Sequence, residues 1–175
     1  MIVISNHVNA IGMEYPKDSV VRINVAWIES KQALEKILKD LHGRAIWLDY
    51  PTGRTKPPQP KFSLDETIEF TKKYPMHYFA FSNAEESSMV QSIRSKVPRH
   101  ITLVPKIETI KGISNLSNIV KAAQTKFIML DKEDLYTDVK GNQNEFERLV
   151  NLCRENCKKM GVTCLELKGV IFGHD

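Results

Sequence analysis

The sequence predicts an α/β protein built on a parallel sheet, and two observations predict it. Short apolar runs alternate along the chain with stretches of helical periodicity, the pattern of repeated strand–helix units. Two of these runs, Ile101-Thr-Leu-Val-Pro-Lys-Ile-Glu108 and Lys126-Phe-Ile-Met-Leu-Asp-Lys-Glu-Asp-Leu135, each end in charge. A strand of a parallel sheet does this where it leaves the core. A helical pattern over Gly112–Ala123 separates the two runs, enough for one right-handed crossover.

The elements follow in order. Ile2–Ser5 is a short apolar β run. Asn6–Ser19 contains Gly12 and Pro16 and has weak helical periodicity, so no helix is expected before the β-rich run Val20–Ala26. Ser30 is an N-cap for a helix carrying Ala33, Leu34, Ile37, Leu38 and Leu41, with Gly43 as its stop. Ala45–Leu48 is a strand. Asp65–Lys73 is a helix with Ile68 and Phe70 apolar and Ser63 as a cap. Tyr78–Phe81 is a strand, and Glu85–Lys96 is a helix that turns Met89, Val90 and Ile93 inward. Strands at 101–105 and 127–130 follow, then the long helix Glu145–Met160 and a strand at 162–167. Val170–Phe172 either extends that strand or folds back, because Lys168-Gly169 is too short to cross over to another parallel strand. About seven strands in parallel order leave two open edges, a costly state unless they are covered. A second copy of the chain is the expected cover, giving a homodimer or larger homo-oligomer; a tail folded as a plug is the alternative.

Composition bounds the function classes. At 175 residues the chain is expected to be one domain, 1–175, with a readily buried core. Hydrophobic residues at 42% and charged residues at 26% are ordinary for a globular enzyme. A net charge of +4 with dispersed Lys and Arg argues against nucleic acid. No apolar run reaches the ~18 residues of a membrane span, and no basic region precedes Ile2-Val-Ile-Ser5. No membrane partner is expected, and the expected location is cytoplasmic. There are three cysteines, Cys153, Cys157 and Cys164. The first two share the apolar face of a helix with Phe146, Leu149 and Val150. They read as small buried hydrophobes in a reducing compartment, since a metal site needs more soft ligands and none is spaced for one.

Chemistry concentrates at the ends of the two charged runs. Glu108 and Asp134 are expected side by side at the C-terminal rim of neighbouring strands, with Lys106 pointing into the same space. Two carboxylates with open water positions suit Mg²⁺ or Mn²⁺, and a lysine beside them suits a developing anion. The plainer account of the same residues is a solvated rim lysine, a surface acid and a helix N-cap. The five histidines add little: His42 ends a helix, His77 and His100 fall at the opposite rim, and His174 is near the chain end. His7 faces the site only if Ile2–Ser5 is the first strand. No Gly-rich phosphate loop, Ser-His-Asp order or dinucleotide fingerprint is present.

Lys106-Ile-Glu-Thr-Ile-Lys-Gly112, followed by Phe127-Ile-Met-Leu-Asp-Lys-Glu-Asp-Leu135, resembles the barrel domain of pyruvate kinase. Val21-Arg-Ile-Asn-Val-Ala26, Ile46-Trp-Leu-Asp49, Phe62-Ser-Leu-Asp-Glu with Tyr78-Phe-Ala-Phe-Ser82, and Asn144–Gly161 extend the resemblance in the family's order over residues 20–165. It implies a curled (β/α)8 TIM-barrel-like sheet with its site at the C-terminal strand ends. By the same resemblance, Lys106 is the lysine that stabilises an enolate oxygen, Glu108 and Asp134 hold the divalent metal, and Arg22 contacts phosphate. Arg22 has a structural alternative, a pair with Glu108 across the barrel. Asn24, Asp49 and Ser82 match residues that gather a monovalent cation, K⁺ in the family, although Ala26 and Tyr50 replace two of its oxygen ligands. Lys132, Glu133 and Asp134 match the helix start that holds the substrate carboxylate, with Glu133 standing in place of a glycine.

The chain also departs from that family. Arg54-Thr-Lys-Pro-Pro-Gln-Pro-Lys61 replaces the inserted lid domain, and its prolines make a stiff extended connection. The threonine expected at the end of strand seven is not recognisable near Glu166 and Lys168. The resemblance therefore implies a pyruvate-kinase-like enzyme that handles phosphoenolpyruvate or pyruvate through a metal-stabilised enolate, with or without phosphoryl transfer. Two alternatives stand beside it: a metal-dependent 2-oxo acid lyase or aldolase, and a non-catalytic ligand-binding barrel. Related lyase barrels carry Ile-Glu-Thr and an acid before Leu without a lid. Phosphoryl transfer needs water kept out, which the missing lid makes harder.

Overall fold

A computed structural model describes residues 3–4 and 18–166 of the chain. Seven strands form one parallel sheet in sequence order. They are β1 (Val3–Ile4), β2 (Val20–Asn24), β3 (Ala45–Tyr50), β4 (Tyr78–Phe81), β5 (Thr102–Ile107), β6 (Phe127–Leu130) and β7 (Thr163–Glu166). The sheet curls into an incomplete TIM-like barrel, as the resemblance implied. Among the described residues no eighth strand is present, and β1 and β7 each pair on one side only. Most of Asn6–Ser19, with His7, and the tail at 167–175, with Val170–Phe172 and His174, lie outside the described residues.

Strand periodicity of two divides the core into two layers. Inward positions form a small apolar cluster of Val20, Trp47, Ala80, Val104 and Met129, with Tyr78, Phe127 and Leu165 against it. Outward positions such as Val21, Ile23, Leu48, Phe79, Phe81, Leu103 and Ile128 pack under the helices. Burying each such side chain contributes about 1.5–3 kcal/mol, so the outer layer carries most of the stability.

The helices begin where side chains cap them. In α1 (Lys31–Asp40), Ser30 Oγ accepts from the Ala33 amide at 3.1 Å. In α2 (Leu64–Lys73), Ser63 and Glu66 form a reciprocal capping box. α3 (Ser87–Lys96) starts two residues later than its pattern suggests. The pattern over Gly112–Ala123 divides into α4 (Ile110–Ser114) and α5 (Leu116–Ala123). Asn115 lies between them, and its Nδ2 donates to the Glu85 carbonyl at 2.9 Å. α6 (Lys132–Asp138) is a short helix that periodicity did not reveal, capped by Asp131. α7 (Gln143–Met160) begins two residues earlier than expected, capped by Asn142, and stops at Gly161, whose φ of +65° suits glycine. β2 is shorter than the run Val20–Ala26 because Asn24 Oδ1 accepts from the Ala26 amide at 3.0 Å and starts a 3₁₀ turn, Val25–Trp27.

Candidate active site

The same period of two builds the site. Two residues beyond the inward apolar positions Val20, Trp47, Ala80, Val104 and Met129 stand Arg22, Asp49, Ser82, Lys106 and Asp131. An apolar plug thus carries a polar layer at the C-terminal ends of the strands. Above it opens a cavity of about 610 Å³, lined among others by Arg22, Lys106, Glu108, Asp131 and Asp134.

Lys106 is the hub. Its Nζ lies 2.7 Å from Glu108 Oε1 and 3.6 Å from Asp131 Oδ2, and it donates to Ser82 Oγ at 3.0 Å. Burial works against the ammonium, but Asp49, Glu108 and Asp131 outweigh it and push its pKa above the usual lysine value. Lys106 is therefore a fixed cation at neutral pH. Burial pushes the Glu108 carboxyl up, and the Lys106 ammonium and the Asn83 amide, which donates to Oε2 at 2.9 Å, only partly offset that rise.

Glu108, Asp131 and Asp134 each offer a carboxylate oxygen within 4.8 Å of the other two. An all-oxygen set of this kind fits a hard divalent cation. Glu108 Oε1 is buried against Lys106 Nζ at 2.7 Å, and Glu108 lines the cavity. The two acids proposed from the sequence, Glu108 and Asp134, are thus brought together. Asp131 joins them and was missed; its signal was its place two residues after Met129 at a strand end. Asp134 is half exposed and meets Lys56 at 3.3 Å.

Other assignments change. Arg22 does not pair with Glu108. Its Nε donates to Asp49 Oδ2 at 2.8 Å and its Nη2 bonds the same oxygen, because Asn24 and Asp49 are register partners on adjoining strands and bring the two side chains together. Arg22 also lines the cavity. At the positions proposed for a monovalent cation, internal donors engage Asp49 Oδ2 (Arg22), Asn24 Oδ1 (the Ala26 amide) and Ser82 Oγ (Lys106), while Asp49 Oδ1 has no hydrogen-bond partner. Lys132 turns away from the cavity to Glu166, 3.2 Å distant, since Glu166 also holds Arg154 and draws cations to β7. Glu133 and Asp134 do line the cavity. They and the Asp131 cap make the start of α6 acidic, which disfavours a substrate carboxylate there.

The segment 51–63 after β3 contains no helix or strand. It nevertheless reaches over the cavity, where Arg54, Thr55 and Lys56 line one wall. Arg54 ties the segment together by donating to the carbonyls of Pro58 at 2.9 Å and Pro57 at 3.1 Å. These two cations were not singled out from the sequence, because only the fold of the loop brings them to the site. Among the described residues, no helix is long and apolar enough to cross a membrane.

The sequence matches no known protein-family profile and no curated protein. The fold, in contrast, has many relatives. A citrate synthase, SbnG, superposes with a TM-score of 0.69 at 14% identity, covering 95% of this chain and 76% of that one. A citrate lyase beta subunit from M. tuberculosis, complexed with oxaloacetate and magnesium, gives 0.59 at 14% identity over 84% of this chain and 67% of that one. RipC from Yersinia pestis gives 0.62 at 14% identity over 84% and 68%. Two of these three are a citrate lyase subunit and a citrate synthase, and none is the pyruvate kinase that the sequence motifs resemble. The chain shares their fold over the superposed residues.

Proposed function

We propose that this protein is a divalent-metal-dependent lyase or aldolase acting on a 2-oxo acid through its enolate. The observation that carries the proposal is the convergence of Glu108, Asp131 and Asp134 on a cavity that also contains a permanently charged Lys106. Neighbouring folds give support: a citrate lyase beta subunit is described with oxaloacetate and magnesium, and protein CitE from Mycobacterium tuberculosis with magnesium and pyruvate.

Glu108, Asp131 and Asp134 would hold Mg²⁺ or Mn²⁺, which when bound supplies Lewis acidity to a substrate carbonyl and carboxylate. Lys106 faces the same space and contributes a second positive charge to an enolate oxygen. Because its carboxylate neighbours keep it protonated, it is unsuited to form an imine, which needs a neutral amine. Arg22, held by Asp49 at the cavity wall, would meet a second carboxylate or a phosphate. Arg54 and Lys56 add positive charge on the loop side, where a dianionic substrate would enter.

Phosphoryl transfer from phosphoenolpyruvate is the less supported reading, because segment 51–63 is a loop with no domain to exclude water. The open edges of β1 and β7 keep a homodimer or larger assembly within the proposal. Light scattering that returns a 20.0 kDa monomer at high concentration rejects that part.

The test of function is proton exchange. Catalytic amounts of protein with Mg²⁺ in deuterated water are expected to exchange the methyl protons of pyruvate, and chelation is expected to stop it. Absence of exchange with Mg²⁺, Mn²⁺ or any other divalent ion would leave the ligand-binding barrel as the better account.

A further inference from the structure

Three sulfurs meet on the outer side of the barrel, away from the rim. Cys153 and Cys157 are one helical turn apart on α7 and point at the sheet. Cys164 comes from β7, whose outward face packs under that helix. The three Sγ atoms all lie within 4.8 Å of one another. Cys153 and Cys157 are buried, at 0% and 1% exposure, while Cys164 is partly open and offers a path in.

We propose that Cys153, Cys157 and Cys164 form a three-thiolate site for a soft monovalent cation, Cu(I). Thiolate ligands select soft ions, and a dry, sulfur-only pocket disfavours Mg²⁺ or Ca²⁺. With metal–sulfur bonds of about 2.3 Å, three sulfurs around a central ion stand about 4 Å apart, which sulfurs all within 4.8 Å of one another can reach. Zn²⁺ is less suited, because it takes four ligands and, among the described residues, the cluster contains three. The Arg154 guanidinium lies near enough to Cys153 and Cys164 to interact with their charge, and it would offset part of the negative charge of the loaded site. Binding would release the thiol protons to solvent.

The site is independent of the rim carboxylates, and the experiment separates them. The full chain, reduced and anaerobic, is titrated with Cu(I) against a chromophoric chelator. One equivalent should be retained, with sulfur-only coordination in X-ray absorption. Cys164→Ser and Cys157→Ala should each weaken retention by more than the ~10–100-fold that loss of an outer partner costs a metal site. Glu108→Gln should leave it unchanged. Because a buried substitution can unfold the protein, the unmodified chain gives a second readout: Cu(I) should protect Cys164 from alkylation. No retention, oxygen or nitrogen in the coordination sphere, unchanged affinity in a natively folded Cys164→Ser, or alkylation at the same rate with and without Cu(I) would overturn the proposal.

Discussion

Lys106 and Glu108, two residues apart at the end of β5, form a buried ion pair with Nζ and Oε1 at 2.7 Å. Both side chains are almost wholly removed from water, at 7% and 3% exposure. A pair so placed loses hydration on both partners, and only tight geometry with further polar contacts repays it. Ser82, Asp131 and the Asn83 amide supply those contacts. The cost is borne at the place where the chain assembles its acids, which is what a reactive site requires and a structural core does not.

Removing one partner should expose that cost. Lys106→Met is expected to destabilise the fold by about 3–5 kcal/mol, because Glu108 would stay buried without its cation. Lys106→Met combined with Glu108→Gln should cost less than Lys106→Met alone. Urea unfolding of the wild type and the variants measures both. In the exchange assay, Lys106→Met should lower the rate by roughly 10² or more while leaving metal binding in place. An unchanged rate would remove the lysine from the chemistry.

The pair also sets a pH dependence. The folded pKa of Lys106 lies above the usual 10.5, so its contribution to stability is complete below that value and lost as pH rises through the folded value. The stability gap between wild type and Lys106→Met should therefore stay constant from neutral pH to about pH 10 and then narrow. A gap that narrows already between pH 7 and 9 would mean that the ammonium is not held as the geometry implies.

The parallel order of strands, the inward lysine and the Glu108–Asp134 pair were legible because each depends on local pattern: apolar runs, their charged ends and a spacing of two. Residues that reach the site through loops were not. Lys56 and Arg54 come to the cavity on a proline-rich connection whose path no periodicity predicts. Asp131 was obscured for a different reason. Its neighbours Glu133 and Asp134 are equally acidic, and only the β6-to-α6 turn decides which carboxylates face inward. The pairing of Arg22 with Asp49 depends on register between strands far apart in sequence, as does the meeting of Cys164 with α7.

The three carboxylates predict unequal losses of metal affinity. Glu108→Gln should weaken Mn²⁺ most, since Glu108 is buried and aimed into the cavity. Asp131→Asn and Asp134→Asn should weaken it less, because Asp134 is exposed and already shared with Lys56. Electron paramagnetic resonance titration of free Mn²⁺ reads all three. Equal affinities in the wild type and Glu108→Gln would end the metal assignment.

Arg22 should separate positioning from binding. Asp49 is 1% exposed and one of its oxygens, Oδ1, has no hydrogen-bond partner, so Arg22 is its main compensation. Arg22→Met is expected to destabilise by about 3 kcal/mol, and Arg22→Met with Asp49→Asn should recover part of that loss. Phosphorylated or doubly carboxylated ligands should lose more affinity than pyruvate in Arg22→Met, as measured by calorimetry. Equal losses would confine Arg22 to holding Asp49.

Gly112 links the fold to the site through simple space. It sits in α4, four residues after Glu108, and an added Cβ would fall 2.9 Å from the Ala84 carbonyl oxygen. That oxygen belongs to the backbone of the loop after β4, so it cannot swing aside as a side chain would. The Ala84 amide also donates to the Lys106 carbonyl at 3.1 Å, which ties the same peptide segment to the residue at the centre of the site. Gly112→Ala must therefore push α4 away from β4 or distort the β4–β5 junction. The expected cost is about 1–3 kcal/mol, the usual range for overpacking. The expected effect on exchange exceeds what lost stability explains, because Lys106 and Glu108 move with the junction. Rates measured on fully folded Gly112→Ala, well below its unfolding midpoint, provide the check. A normal rate there would show that the close approach serves packing alone.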